Sequence, residues 1–229
     1  MILIFFKKLK YILVLFKNAL LDREKARELI LNFLYLKFYI KKNQLITAEY
    51  IYPKVTDFQN TSLELAIQNK PAPLLLLKRN INYCLKNNFI DTTFNLIDIG
   101  SGSGLLMHYV LNKLDYFQSY QGIEFEKNFF KIGKKNLINY RHKNLSLLYK
   151  DARNFFLEDK KFLIYLYNPF RFGIMKIFLQ NNYENINNNK SVIIYHNDIH
   201  LEEIKKEFKF KYFEIFPGTS FILPYKQTL

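Results

Sequence analysis

The feature that most constrains the fold of this chain is the run NLIDIGSGSG, residues 95–104, in which glycine occupies every second position after an apolar stretch. The apolar stretch has the length of a buried strand, and the glycines predict a tight loop. The following LLMHYVLNKL has apolar residues at helical spacing. Glycine lets the backbone approach a ligand closely, and a new helix presents unpaired N–H groups. This order of strand, glycine loop and helix predicts a nucleotide site.

From residue 95 onward the chain alternates between strand-like and helix-like segments. Such alternation predicts an α/β fold, a doubly wound, Rossmann-like and mostly parallel seven-stranded sheet with helices on both faces. The last two strand candidates, 209–216 and 219–225, are separated only by Pro217 and Gly218, so they should form an antiparallel C-terminal hairpin. The other strand candidates are 95–100, 119–124, 145–150, 162–167 and 191–196, and the helix candidates in this part are 103–114, 126–139, 171–185 and 199–208.

Composition bounds the number of domains and the kind of site. A chain of 229 residues that is 49% hydrophobic can form one α/β core with a smaller appendage. The single cysteine, Cys84, excludes a disulfide framework and a cysteine-rich metal site, and it fits a reducing cytoplasm. His196 and His200 are four residues apart with no third ligand nearby, so no metal is expected.

The amino-terminal part differs from the rest in charge. We expect residues 1–70 to form a helical appendage and connector, and residues 71–229 to form the main domain. Half of the net charge of +14 lies in residues 1–45, which hold ten basic and three acidic side chains. Residues 1–20 lack an apolar stretch that could span a bilayer and lack a signal cleavage site. Two interpretations stay open: a helix at the surface of an anionic inner membrane, or a helix packed on the domain with its lysines in water.

The glycine spacing discriminates between two classes of cofactor. A dinucleotide fingerprint has glycines at its first, third and sixth positions, whereas here Leu105 takes the sixth place, which disfavours NAD. The run DIGSGSG, residues 98–104, instead resembles the first motif of class I S-adenosylmethionine-dependent methyltransferases. The resemblance covers residues 95–225 and implies that the cofactor is S-adenosyl-L-methionine. The motif residues that would bind it are Asp98, Gly100, Ser101, Gly102 and Gly104.

Two further strand ends match the cofactor positions of that family. Glu124 ends the second strand, 20 residues beyond Gly104, where the family keeps an acid for the ribose hydroxyls. One carboxylate can accept two O–H donors. Asp151 and Ala152 follow the third strand and match the acid for the adenine amino group and the backbone N–H for a ring nitrogen. Each residue alone could be a helix cap, a solvated acid or part of a turn. Together they follow the carboxyl edge where open α/β sheets bind ligands.

Asn168, Pro169 and Phe170 end the fourth strand, at the usual catalytic position of the family. The family's NPPY-type pattern uses the Asn side-chain oxygen and the adjacent carbonyl to hold an amine, with an aromatic ring against the substrate. This chain is one proline short of that pattern. The YNPF form is similar to a small, poorly characterised bacterial branch and, faintly, to Dot1-like lysine methyltransferases. The resemblance therefore favours a nitrogen acceptor, an amine or a protein lysine.

Two other functions are compatible with the sequence. A nucleic-acid methyltransferase would fit the net charge and Asn168, but no recognition domain is visible and the charge is concentrated in an apolar segment. A non-catalytic, methyltransferase-like scaffold at a membrane is the other alternative, and the retained cofactor positions argue against it. A small-molecule or protein acceptor is therefore favoured over nucleic acid.

Overall fold

The computed structural model of the chain describes residues 23–46, 73–167, 169–216 and 218–225. The predicted helix over residues 1–20 and residues 47–70 of the predicted connector lie outside the described residues, so the predictions made for them stay predictions. No helix in the described ranges is both long and apolar enough to cross a membrane. The helices are α1 (Arg23–Lys42), α2 (Leu74–Lys86), α3 (Leu105–Lys113), α4 (Lys127–Asn136), α5 (Phe172–Asn188) and α6 (Leu201–Glu207). The strands are β1 (Asn95–Ile99), β2 (Tyr120–Glu124), β3 (Leu145–Tyr149), β4 (Phe162–Tyr167), β5 (Val192–His196), β6 (Phe210–Phe216) and β7 (Thr219–Pro224).

All seven strands form one sheet in the order β3-β2-β1-β4-β5-β7-β6. The first five are parallel, and β7 runs antiparallel to both β5 and β6. This confirms the predicted sheet and its C-terminal hairpin. The chain moves outward from β1 through β2 to β3 and then returns to the other side of β1 as β4. Ligands of open α/β sheets bind at such a reversal, outside the carboxyl ends of the strands.

The central strand β1 is buried at all five positions, as expected for a parallel strand covered on both faces. Ile97 and Ile99 join a core cluster on one face, together with Ile164 of β4 and Phe178 of α5. Because side chains alternate along a strand, Asp98 points to the other face. The sheet register places Asp98 directly opposite Tyr165 of β4.

The described chain divides into two compact units, one formed by residues 23–45 and 73–79 and the other by residues 46, 80–167, 169–216 and 218–225. In the first unit, Asn32 of α1 is buried, and its Oδ1 accepts hydrogen bonds from the N–H groups of Leu75 and Leu76 at 3.1 and 3.3 Å. The first N–H groups of a helix have no partner within the helix. A side chain from α1 therefore caps α2.

Candidate active site

The glycine loop joins β1 to α3 and turns back onto β2. The N–H groups of Gly100 and Ser101 both donate to the carbonyl oxygen of Ile123, at 2.9 Å. The φ angles of Gly100, Gly102 and Gly104 are +82°, +53° and +72°. This left-handed region costs other residues roughly 1–2 kcal/mol each. The alternate glycines are therefore what permits the path of the loop.

Two of these glycines also permit close packing. A Cβ atom at Gly100 would lie 2.5 Å from the Cβ of Pro169, which follows β4. A Cβ at Gly104 would lie 3.3 Å from the Cα of Gly133 in α4. The structure thus brings the predicted cofactor loop into direct contact with the predicted transfer position.

Asn136, the last residue of α4, fixes the loop from the other side. Its Nδ2 donates to the carbonyl oxygens of Ser103 and Ile46, both at 2.8 Å. Its Oδ1 accepts from the N–H of Ile46 at 2.9 Å. One buried amide therefore joins the glycine loop to the last described residue before the connector.

Glu124 ends β2 and is hydrogen bonded to the loop. Its Oε2 accepts from the N–H of Gly102 and its Oε1 from the N–H of Glu126, both at 2.7 Å. Burial raises the pKa of Glu124, and the backbone hydrogen bonds partly oppose that rise. Each carboxylate oxygen has two acceptor sites, so both oxygens can accept further donors such as hydroxyl groups.

Asp98 is a second buried acid beside the loop, with 4% of its surface exposed. Burial, followed by the negative charge of Glu124, raises the pKa of Asp98 to about 8. Among the described residues no basic side chain lowers the pKa of either acid. The hydroxyl groups of Tyr165 and Ser101 are also buried, and neither has a hydrogen-bond partner in the described part of the chain. These groups can satisfy a bound ligand that carries hydrogen-bond donors, and a positive charge on that ligand would lower the raised pKa of both acids.

The third predicted position is occupied by contacts within the chain. Asp151 caps a short 3-10 helix by accepting from the N–H of Arg153 at 2.9 Å. The same carboxylate forms an ion pair with the Arg153 guanidinium, with Nη2 to Oδ2 at 2.6 Å. Burial acts to raise the pKa of Asp151, but the hydrogen bonds and charge of Arg153 outweigh it, so the pKa lies below its usual value. Ala152 is buried in the core cluster. The adenine contacts of both residues stay predictions beside these structural roles.

The fourth position is only partly described. Asn168 lies outside the described residues, whereas Pro169 is the residue that Gly100 contacts. Phe170 is 6% exposed and belongs to the core cluster. Its ring packs in the core, and the predicted contact between the ring and the substrate stays a prediction.

Sequence reasoning missed a group of side chains beside this position. Tyr167 and His196 are register partners at the ends of β4 and β5, and their ring centroids are 4.9 Å apart. The Nδ1 of His196 lies 2.6 Å from the Oγ1 of Thr219, the first residue of β7. The signal that could have found this group was the position of His196 at the carboxyl end of a predicted strand.

The two histidines weighed as a metal pair lie in different surroundings. His200 packs against the ring of Phe172 with centroids 6.1 Å apart, whereas His196 is bound to Thr219. Within the described residues no three His, Cys, Asp or Glu side chains are grouped so that they could hold a metal ion.

Neither the protein-family models nor the curated proteins give a match to this sequence. Solved structures do match it. A protein from Pyrococcus horikoshii described as a "putative RNA methyltransferase" has a TM-score of 0.51 and 15% identity, over 72% of this chain and 89% of that one. Monomeric WbdD has a TM-score of 0.50 and 11% identity, over 71% of this chain and 43% of that one.

A ribosomal protein L11 methylase from Lactobacillus delbrueckii subsp. bulgaricus has a TM-score of 0.46 and 13% identity, over 70% of this chain and 80% of that one. Identities this low bear on the fold alone. The likeness in fold rests on the two structures whose TM-scores reach 0.50, and it agrees with the Rossmann-like sheet described above. The chain has the fold of the class I S-adenosylmethionine-dependent methyltransferases.

Proposed function

We propose that this protein is an S-adenosylmethionine-dependent methyltransferase. The observation that carries the proposal is the pair of buried acids, Asp98 and Glu124, beside a loop whose glycines have positive φ angles. No basic side chain among the described residues compensates these acids. S-adenosylmethionine supplies ribose hydroxyls, an amino group and a positive charge, so its chemistry fits them.

The residues that would hold the cofactor follow the carboxyl edge of β1, β2 and β3. Glu124 would accept the ribose hydroxyls with oxygens that already accept two backbone N–H groups. The loop from Gly100 to Gly104, with Asp98 behind it, would hold the methionine part of the cofactor. Asp151 and Ala152 are proposed for the adenine. When bound, the cofactor supplies an activated methyl group on a sulfonium.

The remaining task of the chain is to position the acceptor and to exclude water, because methyl transfer gains chiefly from proximity and orientation. We assign that task to Asn168 and Pro169, with Tyr167 and His196 lining the acceptor side. The contact between Pro169 and Gly100 supports this, since it brings the end of β4 against the cofactor loop. We further propose a nitrogen acceptor, for which the support is the Asn168-Pro169 sequence.

Cofactor binding is tested by titration calorimetry with S-adenosylmethionine, its demethylated product and NADH. The wild-type protein should bind the first two. Glu124→Gln should weaken binding by about 1.5–3 kcal/mol, because a charged acceptor is lost while the side-chain shape is kept. The glutamine amide keeps one acceptor oxygen but turns its NH2 group toward either the Gly102 or the Glu126 N–H. The melting temperature should therefore fall as well, and binding is measured at a temperature where the variant is fully folded. Tight NADH binding without binding of the methyl donor would refute the proposal.

The acceptor is tested by incubating the protein with labelled cofactor and cell extract, which is then separated into protein, nucleic-acid and small-molecule fractions. Label on nitrogen in the protein or small-molecule fraction is expected. Label in nucleic acid would favour the alternative, which is also the activity in the description of the Pyrococcus horikoshii protein. Asn168→Ala should lower turnover far more than cofactor affinity, since positioning of the acceptor acts in the transition state. An unchanged turnover would remove Asn168 from the mechanism.

A further inference from the structure

The side of α1 opposite its buried residues Asn32, Leu36 and Tyr39 combines large apolar and basic side chains. We call this side the apolar-basic face. Phe38 and Leu34 are 62% and 58% exposed, and three more large apolar side chains on the same face are also exposed. Single exposed apolar residues are ordinary on protein surfaces, whereas contiguous ones mark an interaction surface. The face consists of Arg27, Ile30, Leu31, Phe33, Leu34, Lys37, Phe38, Lys41 and Lys42.

The geometry of the helix makes this a continuous surface. At 3.6 residues per turn the nine side chains span about half of the helix circumference. The opposite side carries Asn32, Leu36 and Tyr39, all of which are buried. Asn32 faces the start of α2, where its Oδ1 accepts from the N–H of Leu75. Within its own unit, α1 therefore turns the apolar-basic face away from α2.

The charges on this face have one sign. Among the α1 side chains that the structure describes, Glu28 is the only acid, and it lies off the face in an ion pair with Arg79 at 2.8 Å. The Nζ of Lys42 lies 5.9 Å from the ring centroid of Phe38, so the lysine stem follows the apolar surface. Long basic side chains of this kind can extend their charged ends to an interface while their stems stay on apolar groups.

The combination of apolar and basic side chains on this face indicates which kind of partner it binds. Apolar side chains of an interfacial helix enter the boundary between lipid headgroups and acyl chains, while lysine and arginine bind the anionic headgroups. A nucleic acid would satisfy the four basic residues, but it would leave five large apolar side chains in water. We propose that the apolar-basic face docks on an anionic lipid surface, whatever reaction the other unit performs.

The test uses the full-length protein and sedimentation with vesicles of phosphatidylcholine, made with and without phosphatidylserine. Wild-type protein should bind only the vesicles that contain phosphatidylserine. The double variant Leu34→Asp with Phe38→Asp should lose at least about tenfold in partitioning, because it removes apolar area and adds negative charge. Lys41→Gln with Lys42→Gln should lose about tenfold to thirtyfold and should keep its fold.

The matched control is Phe156→Asp in the second unit, which changes a residue that is as exposed as Phe38, at 62%, and should leave vesicle binding unchanged. Melting temperature and cofactor affinity, measured on each variant, separate lost docking from lost folding. If the double aspartate variant does not fold, the proposal is tested with the Lys41→Gln, Lys42→Gln variant alone. Vesicle binding that survives both double variants, or equal binding to neutral vesicles, overturns the proposal. The proposal is also overturned if, without lipid, the wild-type protein self-associates or binds RNA in a salt-sensitive way and these variants abolish that binding.

Discussion

The two halves of the carboxyl edge are built by different means. At the ends of β1 and β2, the loop backbone holds two buried acids in place: the Gly100 N–H donates to the Ile123 carbonyl, the Gly102 N–H donates to the Glu124 carboxylate, and the glycine φ angles are positive. At the ends of β4 and β5, side chains define it: the ring of Tyr167 packs at a tilt against the ring of His196, and His196 is hydrogen bonded to Thr219. We call these the cofactor half and the transfer half.

The two halves differ in how well they tolerate amino-acid substitutions. A site made of backbone geometry accepts few substitutions within its loop, because the glycines have no replacement of the same shape. A site made of side chains can change its contacts while the strands beneath it stay in register. Proteins of this fold can therefore share a cofactor half and differ in the transfer half. For this reason the fold alone does not identify the methyl acceptor.

The largest effect is expected where the transfer half enters the core. Phe170→Ala should lower the free energy of unfolding by about 3–5 kcal/mol, the usual loss for a buried phenylalanine. Urea unfolding measures this loss. Phe156→Ala, at a 62% exposed ring, is the matched control and should change stability by about 0.5 kcal/mol or less. If Phe170→Ala keeps its stability and instead raises the KM for the acceptor, the ring belongs to the acceptor pocket.

The contact between the two halves is tested at Gly100. Gly100→Ala should cost roughly 1–2 kcal/mol for the left-handed φ and a further 1–3 kcal/mol for the clash with Pro169. Cofactor affinity should fall at least about a hundredfold, because the loop must move. Gly218 has a similar φ of +73° but no atom within 4 Å of an added Cβ. Gly218→Ala should therefore show the first cost alone and bind cofactor normally. Equal losses in the two variants would show that the halves are not coupled at this contact.

The buried acids of the cofactor half make stability depend on pH. The folded pKa of Asp98 is about 8 against an ordinary value of 3.8. The folded protein binds this proton more tightly than the unfolded chain does. The protonated Asp98 therefore makes its full contribution to the free energy of unfolding below about pH 4, and this contribution is lost as the pH rises to about 8. Glu124, whose pKa is also raised, acts in the same direction.

Asp98→Asn removes most of this dependence. Between pH 5 and pH 9 the free energy of unfolding of the variant should rise by about 1–3 kcal/mol relative to that of the wild type. This is less than a shift of four pKa units implies, because the protein relaxes around a buried charge. Urea unfolding at the two pH values measures the gain. Parallel stability curves for the two proteins would mean that Asp98 is ionised throughout.

The smallest effect is expected at the hydrogen bond of the transfer half. Thr219→Val keeps the shape of a fully buried side chain but removes the hydroxyl that contacts His196. It should cost about 0.5–1.5 kcal/mol in stability. Turnover should fall severalfold while the cofactor Kd stays the same, since His196 loses its orientation. Thr219→Ser retains the hydroxyl and should keep turnover. A change in cofactor Kd would place this bond in the cofactor half.

The contrast between the two halves also explains which parts of the site could be predicted from the sequence. The strands, the glycine loop and the position of Glu124 depend on neighbours along the chain, so local patterns predicted them. The group of Tyr167, His196 and Thr219 spans more than fifty positions and exists only because β5 lies between β4 and β7. The order of strands in the sheet cannot be predicted from the periodicity of apolar residues along the chain.

Two smaller features that were not predicted differ in how far apart their residues lie in the sequence. The cap that Asn32 provides to α2 joins residues more than forty positions apart, which a local pattern does not contain. The pairing of Asp151 with Arg153 is different, because both residues stand in the sequence two positions apart. Because the partners are so close in the sequence, the local pattern is compatible with this ion pair as well as with a cofactor acid.

The amide of Asn136 makes residue 46 a reporter of the glycine loop. Because one side chain bonds both to the Ser103 carbonyl and to the backbone of Ile46, any ligand that restrains the loop also lowers the freedom of residue 46 to open. Such coupling is reciprocal, so restraint applied at residue 46 strengthens binding at the loop by the same factor. Exchange of the Ile46 amide proton with deuterated solvent should therefore slow when the loop is occupied, giving a signal of occupancy that requires no knowledge of the acceptor.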